Sequence, residues 1–210
     1  MNVEKIDLKK ELSHLYNPSS KTFSIVDVPS MNFLMIDGHG DPNTNPAYAE
    51  AVEALYGLAY TIKFALKKEG MDFVVPPLQG LWWMEPMQDF SSENKDQWDW
   101  TMMILQPDFV TSEAVEGARL AAAKKKDLPA LQRLRFEPYH EGLSVQILYF
   151  GAYVDEGPVI ARLHRFIKEN GYERSGKHHE IYLGDPRKTA PEKLKTIIRQ
   201  PVKPCHASSR

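Results

Sequence analysis

The feature that most narrows the fold of this chain is an internal repeat. Written against each other, Gly80-Leu81-Trp82-Trp83-Met84-Glu85-Pro86 and Glu180-Ile181-Tyr182-Leu183-Gly184-Asp185-Pro186 match in apolar pattern and in a closing acidic-Pro pair. Upstream, Lys68-Glu69-Gly70 corresponds to Glu169-Asn170-Gly171, and downstream Met103-Ile104-Leu105-Gln106-Pro107 corresponds to Ile197-Ile198-Arg199-Gln200-Pro201. Turn residues recur by chance wherever strands end. Three matches in the same order instead point to duplication of one supersecondary unit.

The hydrophobic pattern says what that unit is. Residues 23–28 and 31–36 are short apolar runs separated by Pro29-Ser30 and read as two strands, followed by a turn-rich stretch over 37–45. From Pro46 the spacing becomes helical: Val52, Leu55, Ala59, Ile62 and Leu66 form one stripe, with Pro46 in the first turn and Gly70 just past the end. Residues 78–84 and 98–105 are predicted strands joined by a polar loop over 89–96. A helix over 112–126 and a shorter helical piece over 129–134 precede an extended region, 135–150, in which Gly142 marks either a bulge or a bend. Pro158 opens a helix carrying Ile160, Leu163 and Ile167 that stops at Asn170-Gly171, and residues 178–183 and 194–202 complete the pattern as strands.

The predicted fold is α+β: two pseudo-twofold strand-helix-strand-strand modules forming antiparallel sheet, with helices packed on one side and a ligand cleft between the halves. Residues 1–210 are read as one domain, with module one over about 23–107, a helical insert over about 111–134, module two over about 135–202 and a tail over 203–210.

Composition removes several classes of function. With 26 basic and 28 acidic residues, the chain lacks the basic excess that binds nucleic acid. Its one dense basic run, Lys124-Lys125-Lys126, lies where cations complement a helix C-terminus. The single cysteine, Cys205, cannot form an intrachain disulfide, which suits a reducing cytoplasm. No apolar run approaches transmembrane length, and residues 1–10 do not resemble a signal segment. The expectation is a cytoplasmic monomer or homodimer whose partner is a small molecule, with no nucleic acid, membrane, cofactor or metal. His178-His179 point to opposite faces of a strand, and no His-x-x-x-His or Cys-pair spacing occurs. Neither a Gly-x-Ser-x-Gly elbow nor a phosphate-binding glycine loop is present.

Strand alternation places Glu180 on one face with His178 and Tyr182, while Ile181 and Leu183 form the expected core side beneath the Pro158 helix. Through the repeat, Trp82 and Met84 share the Glu180 face, and Leu81 and Trp83 face the helix. A carboxylate among aromatic and thioether side chains is costly in a core and useful in a ligand site. The competing reading is an ion pair of Glu180 with Arg174, Lys177 or His178 at a sheet edge. Further aromatic candidates are Tyr56 and Tyr60 on the first long helix, Trp98 and Trp100 on the fourth strand, and Tyr139 and Tyr149 in the 135–150 region.

From residue 23 to residue 202 the sequence resembles the gyrase-inhibitor-like (GyrI-like) family of small-molecule-binding domains. The resemblance rests on the duplicated unit and on His179-Glu180-Ile181-Tyr182-Leu183-Gly184-Asp185-Pro186, whose Glu-x-Tyr element is similar to the family's ligand-facing glutamate strand. It implies a cleft glutamate at Glu180 with aromatic companions at Trp82 and Tyr182. The segment before Phe23 is too short for the DNA-binding domain fused to some members. Gln79-Gly80-Leu81-Trp82-Trp83 resembles the standalone subset that hydrolyses electrophilic cyclopropane-containing genotoxins. Two functions therefore stand open. In a hydrolase, Glu180 is the general base toward water and Tyr139, Tyr149 or Tyr182 bonds a developing oxyanion. In a multidrug-binding, sequestering or sensing module, Glu180 complements a planar cation.

Overall fold

The computed structural model describes residues 5–86 and 94–205, so residues 89–93 of the predicted loop and 206–210 of the predicted tail lie outside the described residues. Strand β1 (Lys5–Ile6) leads into two one-turn helices, α1 (Leu8–Glu11) and α2 (Ser13–Tyr16). There follow β2 (Ser24–His39), α3 (Pro46–Lys68), β3 (Asp72–Phe73), β4 (Leu78–Trp83), β5 (Asp99–Leu105) and α4 (Ser112–Lys125). The remainder is β6 (Arg135–Phe150), α5 (Gly157–Glu169), β7 (Tyr172–Arg174), β8 (His178–Tyr182) and β9 (Lys195–Pro204).

Two compact units are formed, one from Met1–Leu12 with Met31–Tyr139 and the other from Ser13–Ser30 with His140–Arg210. In the first, β5 lies between β2 and β4, antiparallel to both, with Ile36 opposite Met102 and Gly80 opposite Met102. In the second, β9 pairs antiparallel with β6 and β8, with Ile147 and Glu180 both opposite Ile198. Each unit thus sets its fourth strand between its first and third, the strand-helix-strand-strand plan read from the repeat.

Helix α3 forms where the sequence places it. Asn45 caps it by accepting the Ala47 N–H at 2.9 Å, Pro46 occupies the first turn, and Ala51, Ala54, Leu55, Leu58, Ala59, Ile62 and Leu66 are buried along one stripe. Gly70, at φ 88, ends it in the left-handed conformation, and the Met71 N–H returns to the Leu66 carbonyl at 3.0 Å. In the core of the second unit, Leu163 and Ile167 of α5 pack with Val145, Ile147, Ile198 and Val202. No described helix is long and apolar enough to cross a membrane.

One local reading is corrected and another is narrowed. Residues 23–28 and 31–36 are not separate strands, because β2 runs unbroken through Pro29 and Ser30. Gly142, at φ 72, lies within an unbroken β6, which excludes two strands joined by a bend and leaves the bulge. Both breaker residues sit next to the points where the chain passes from one unit to the other, at residues 30–31 and 139–140. They mark the change of unit, not a reversal of chain direction.

The helix side of the sheets is also the opposite of the one predicted. Glu180 faces the same way as its cross-strand partner Ile198, and Ile198 packs against α5. In the first unit, Tyr48 of α3 stacks on Trp82 at 6.1 Å and meets Trp100 edge-on at 5.5 Å. The faces of Glu180 and Trp82 are therefore the ones their helices cover, and those of Ile181, Leu81 and Trp83 are the reverse sides. The repeat correctly equated the two faces. The assignment failed because alternation reveals a core side only when the other side is wet, and on β8 adjacent His178 and His179 are both buried.

Candidate functional site

Glu180 lies at the centre of a polar cluster in the second unit. Its Oε2 accepts the Tyr182 hydroxyl at 2.7 Å, and its Oε1 lies 3.3 Å from His178 Nε2. The Glu180 side chain is 16% exposed, against 5% for His178. Tyr182 meets Tyr153 edge-on, with ring centroids 5.3 Å apart. Along one strand, side chains two positions apart share a face, so the Glu-x-Tyr spacing itself brings Tyr182 to Glu180.

Above this face stands a residue that sequence reading missed. Glu156 precedes the first turn of α5, is 2% exposed, and turns its side chain to Glu180 instead of capping the helix. Its sequence context, Asp155-Glu156-Gly157-Pro158, is an ordinary acidic helix start, which is why it carried no signal. Burial, then the negative charge of Glu180 and a hydrogen bond to it, push the Glu156 carboxyl up to about 9. Glu180 goes the other way. Burial opposes its ionisation, but His178, Tyr182 and the Glu156 hydrogen bond together hold it below the usual carboxylate range. The two carboxyls are thus shifted in opposite directions, Glu156 upward and Glu180 downward.

Nearby groups complete the electrostatics. Tyr149 donates to the Ala152 carbonyl at 3.3 Å, and burial with the negative charges of Asp155 and Glu156 raises its pKa. His164 of α5 is pushed down to about 4 by burial, Arg174 and His178, so it is neutral.

The reverse face of β8 carries a second network. His179 Nδ1 lies 2.9 Å from Glu141 Oε1, and Arg199 donates to Glu141 Oε2 at 3.0 Å, all three side chains being 2% exposed. Arg199 also bonds Gln146 and the Leu15 carbonyl, while Gln146 reaches the His14 carbonyl. Burial opposes the ionisation of Glu141, yet His179 and Arg199 outweigh it and hold the carboxyl down to about 2. This lattice of charge-assisted bonds fixes β8 from behind and ties α2 to the sheet.

In the first unit the predicted aromatic residues divide into two groups. Trp82 and Trp100 are buried against the half-buried Tyr48, and Trp98 meets Trp82 edge-on at 5.5 Å, beneath Lys95. Met84 is buried just beyond β4. Tyr56 and Tyr60 instead stack with Phe64 along α3 at four-residue intervals, and Tyr60 is 46% exposed. Tyr139 packs edge-on against Phe33 at 6.3 Å. A groove of about 500 Å³ between α3 and α4, bordered by Glu69 and Glu113, contains none of the predicted site residues. Among the described residues, no group of three or more His, Cys, Asp or Glu side chains is placed to hold a metal ion.

Comparison with known proteins adds to this geometry. Residues 21–203 match the model of the GyrI-like small molecule binding domain. An uncharacterized conserved protein from Listeria innocua superposes with a TM-score of 0.88 at 44% identity, covering 95% of this chain and 100% of its own. A hydrolase from Listeria innocua superposes at 0.85 with 42% identity and the same coverage. The C-terminal domain of EcmrR shares the fold at a TM-score of 0.55 and 13% identity, covering 87% of this chain and 98% of that one. No match is found among curated proteins.

Proposed function

The chain belongs to the GyrI-like small-molecule-binding family, and from that premise we propose that it is a hydrolase of electrophilic, cyclopropane-bearing small molecules, with Glu180 as general base. The observation that carries this reading is the state of Glu180: ionised, mostly but not wholly buried, oriented by Tyr182 and His178, and flanked by the Tyr153–Tyr182 ring pair. The name of the Listeria innocua hydrolase at 42% identity supports it. A fixed carboxylate at 16% exposure is open to a water molecule yet shielded enough for its charge to act strongly.

In the step proposed, Glu180 accepts a proton as water oxygen bonds to a ring carbon. The strained C–C bond breaks, and its electron pair passes to a conjugated acceptor on the substrate, which is then protonated. Water is added across one bond, with no oxidation or reduction. The aromatic side chains supply stacking surface for the planar part of such a substrate. The exposed Cys205 fits a cytoplasmic setting.

The test is to incubate the protein with a cyclopropane-bearing alkylating compound and follow it by mass spectrometry. A product heavier by one water, formed by the native protein and lost in Glu180→Gln, is the expected result. Equal turnover by Glu180→Gln sinks the assignment of the base. Quenched tryptophan fluorescence without product favours the second reading, a binding module for planar cations, which the lone negative charge beside two tyrosine rings also suits.

A further inference from the structure

We infer that Glu156 is a positioning residue that holds the one proton of a Glu156–Glu180 pair, keeping Glu180 ionised and oriented toward the substrate. The inference deepens the functional reading above and rests on it for the meaning of catalysis, but the pair itself is a property of the protein without ligand.

Three observations carry it. Glu156 is 2% exposed and hydrogen-bonds the more exposed Glu180, so a ligand meets Glu180 and not Glu156. The Glu156 Oε1 atom is buried with no donor bonded to it among the described residues. A carboxylate there would leave that oxygen unsatisfied, whereas a carboxylic acid has an acceptor at hand in Glu180. Finally, Glu156 directly precedes α5, whose N-terminus favours negative charge, yet its side chain does not cap that helix.

The groups around the pair are accounted for element by element. Strand β8 contributes His178 and Tyr182, which both favour an ionised Glu180. From β9, the Thr196 hydroxyl approaches Glu156 without a hydrogen bond of regular geometry. Asp155 precedes Glu156, Tyr149 lies on β6, and α5 presents His164, which is neutral. Burial raises the Glu156 pKa most, and the charge of Glu180 raises it further.

During hydrolysis Glu180 would take the proton from water while Glu156 keeps its own, so the pair briefly holds two. One leaves to the substrate's anionic acceptor or to solvent, and the starting state returns. The arrangement is the like-charge logic of paired carboxylates, with burial deciding which partner keeps the proton.

The decisive experiment has a ligand-free arm and a kinetic arm. Infrared spectra of the ligand-free protein at neutral pH should show the C=O stretch of a buried carboxylic acid. Glu156→Gln should abolish it, and Glu180→Gln should retain it with a titration moved to lower pH. Absence of the band, or the same titration in Glu180→Gln, overturns the pair whether or not the protein is a hydrolase. In the kinetic arm, Glu156→Gln keeps a neutral donor and should remove the alkaline limb of kcat/KM while leaving its acid limb in place. Glu156→Leu, lacking any donor, should move the acid limb of kcat/KM upward by about one pH unit. An unmoved acid limb in Glu156→Leu overturns the positioning role. If the infrared results hold and no variant or native protein shows turnover, the pair stands and the hydrolase reading falls.

Discussion

Replacing Glu156 with glutamine should stabilise the folded protein, and should do so more as the pH rises. In the folded state the carboxyl is raised from 4.5 to about 9, so the folded protein holds a proton that the unfolded chain releases near 4.5. Stability contributed by that proton is fully present below pH 4.5 and is lost progressively as the pH rises toward 9. At pH 7 the gap from 4.5 is about 2.5 pH units, which at ~1.4 kcal/mol each sets an upper bound of about 3.5 kcal/mol. Proton sharing with Glu180 and local relaxation lower the expected gain to about 1–3 kcal/mol. Glutamine has nearly the same volume, is neutral at every pH, and can still donate to Glu180, so the Glu180 contribution cancels between the two proteins. Urea denaturation at pH 4, 5.5, 7 and 8.5 measures the difference. Near-identity at pH 4 and a gap widening by up to ~1.4 kcal/mol per pH unit are expected. A variant less stable than the native protein at pH 7, or a gap independent of pH, would refute a buried, protonated Glu156.

Other substitutions test the surrounding structure. Glu141→Gln removes the carboxylate facing buried Arg199 and should cost about 3–5 kcal/mol at neutral pH in urea denaturation, where a loss below ~1 kcal/mol would contradict a working ion pair. Because the Glu141 pKa is depressed to about 2, its stabilisation is present at neutral pH and fades as the pH falls toward 2, so native and variant should converge in acid. Tyr182→Phe deletes a 2.7 Å bond to Glu180 and should raise the acid limb of any pH-rate profile, with little change in melting temperature. Gly38→Ala would place a Cβ 2.1 Å from ring atoms of fully buried Trp100 and should cost about 1–3 kcal/mol by thermal melting, with a red shift in tryptophan emission.

How much of this was legible in the sequence depended on the kind of signal. Helix α3 declared itself, since Asn45, Pro46 and Gly70 punctuate a long apolar stripe and local chemistry alone fixes both ends. The proximity of Glu180, Tyr182 and His178 was equally readable, because a strand has a two-residue period and nothing distant can alter it. What could not be read was the partner across space. Glu156 is 24 positions from Glu180, and Glu141 is 38 from His179 with Arg199 a further 20 along, separations that no local period encodes. The ion-pair reading of Glu180 was also part of the answer: His178 is its neighbour, and the site reading and the ion-pair reading describe one cluster.

The duplication shows how few positions separate the two copies around the Glu180 cluster. In each unit the helix follows the first strand, and the residue before it stands at the same point of the plan. In the first unit that residue is Asn45, whose side chain bonds the Ala47 N–H and serves the helix. In the second it is Glu156, whose side chain leaves the helix uncapped and turns to β8. On the third strand, glycine at 80 lies opposite Met102, while glutamate at 180 lies opposite Ile198. Two positions therefore differ together. An isolated glutamate at 180 under a helix would meet only His178 and Tyr182, and an isolated glutamate at 156 would be a buried charge with no gain. Present together, each alters the proton affinity of the other, so exchanging either alone for its counterpart in the first unit should displace the titration of the one that remains. Glu180→Gly should lower the Glu156 titration below 9, and Glu156→Asn should change Glu180 far less, because an amide can still donate to it. Infrared titration of the two variants reads both shifts, and equal displacement in the two would show that charge, not hydrogen bonding, couples the pair.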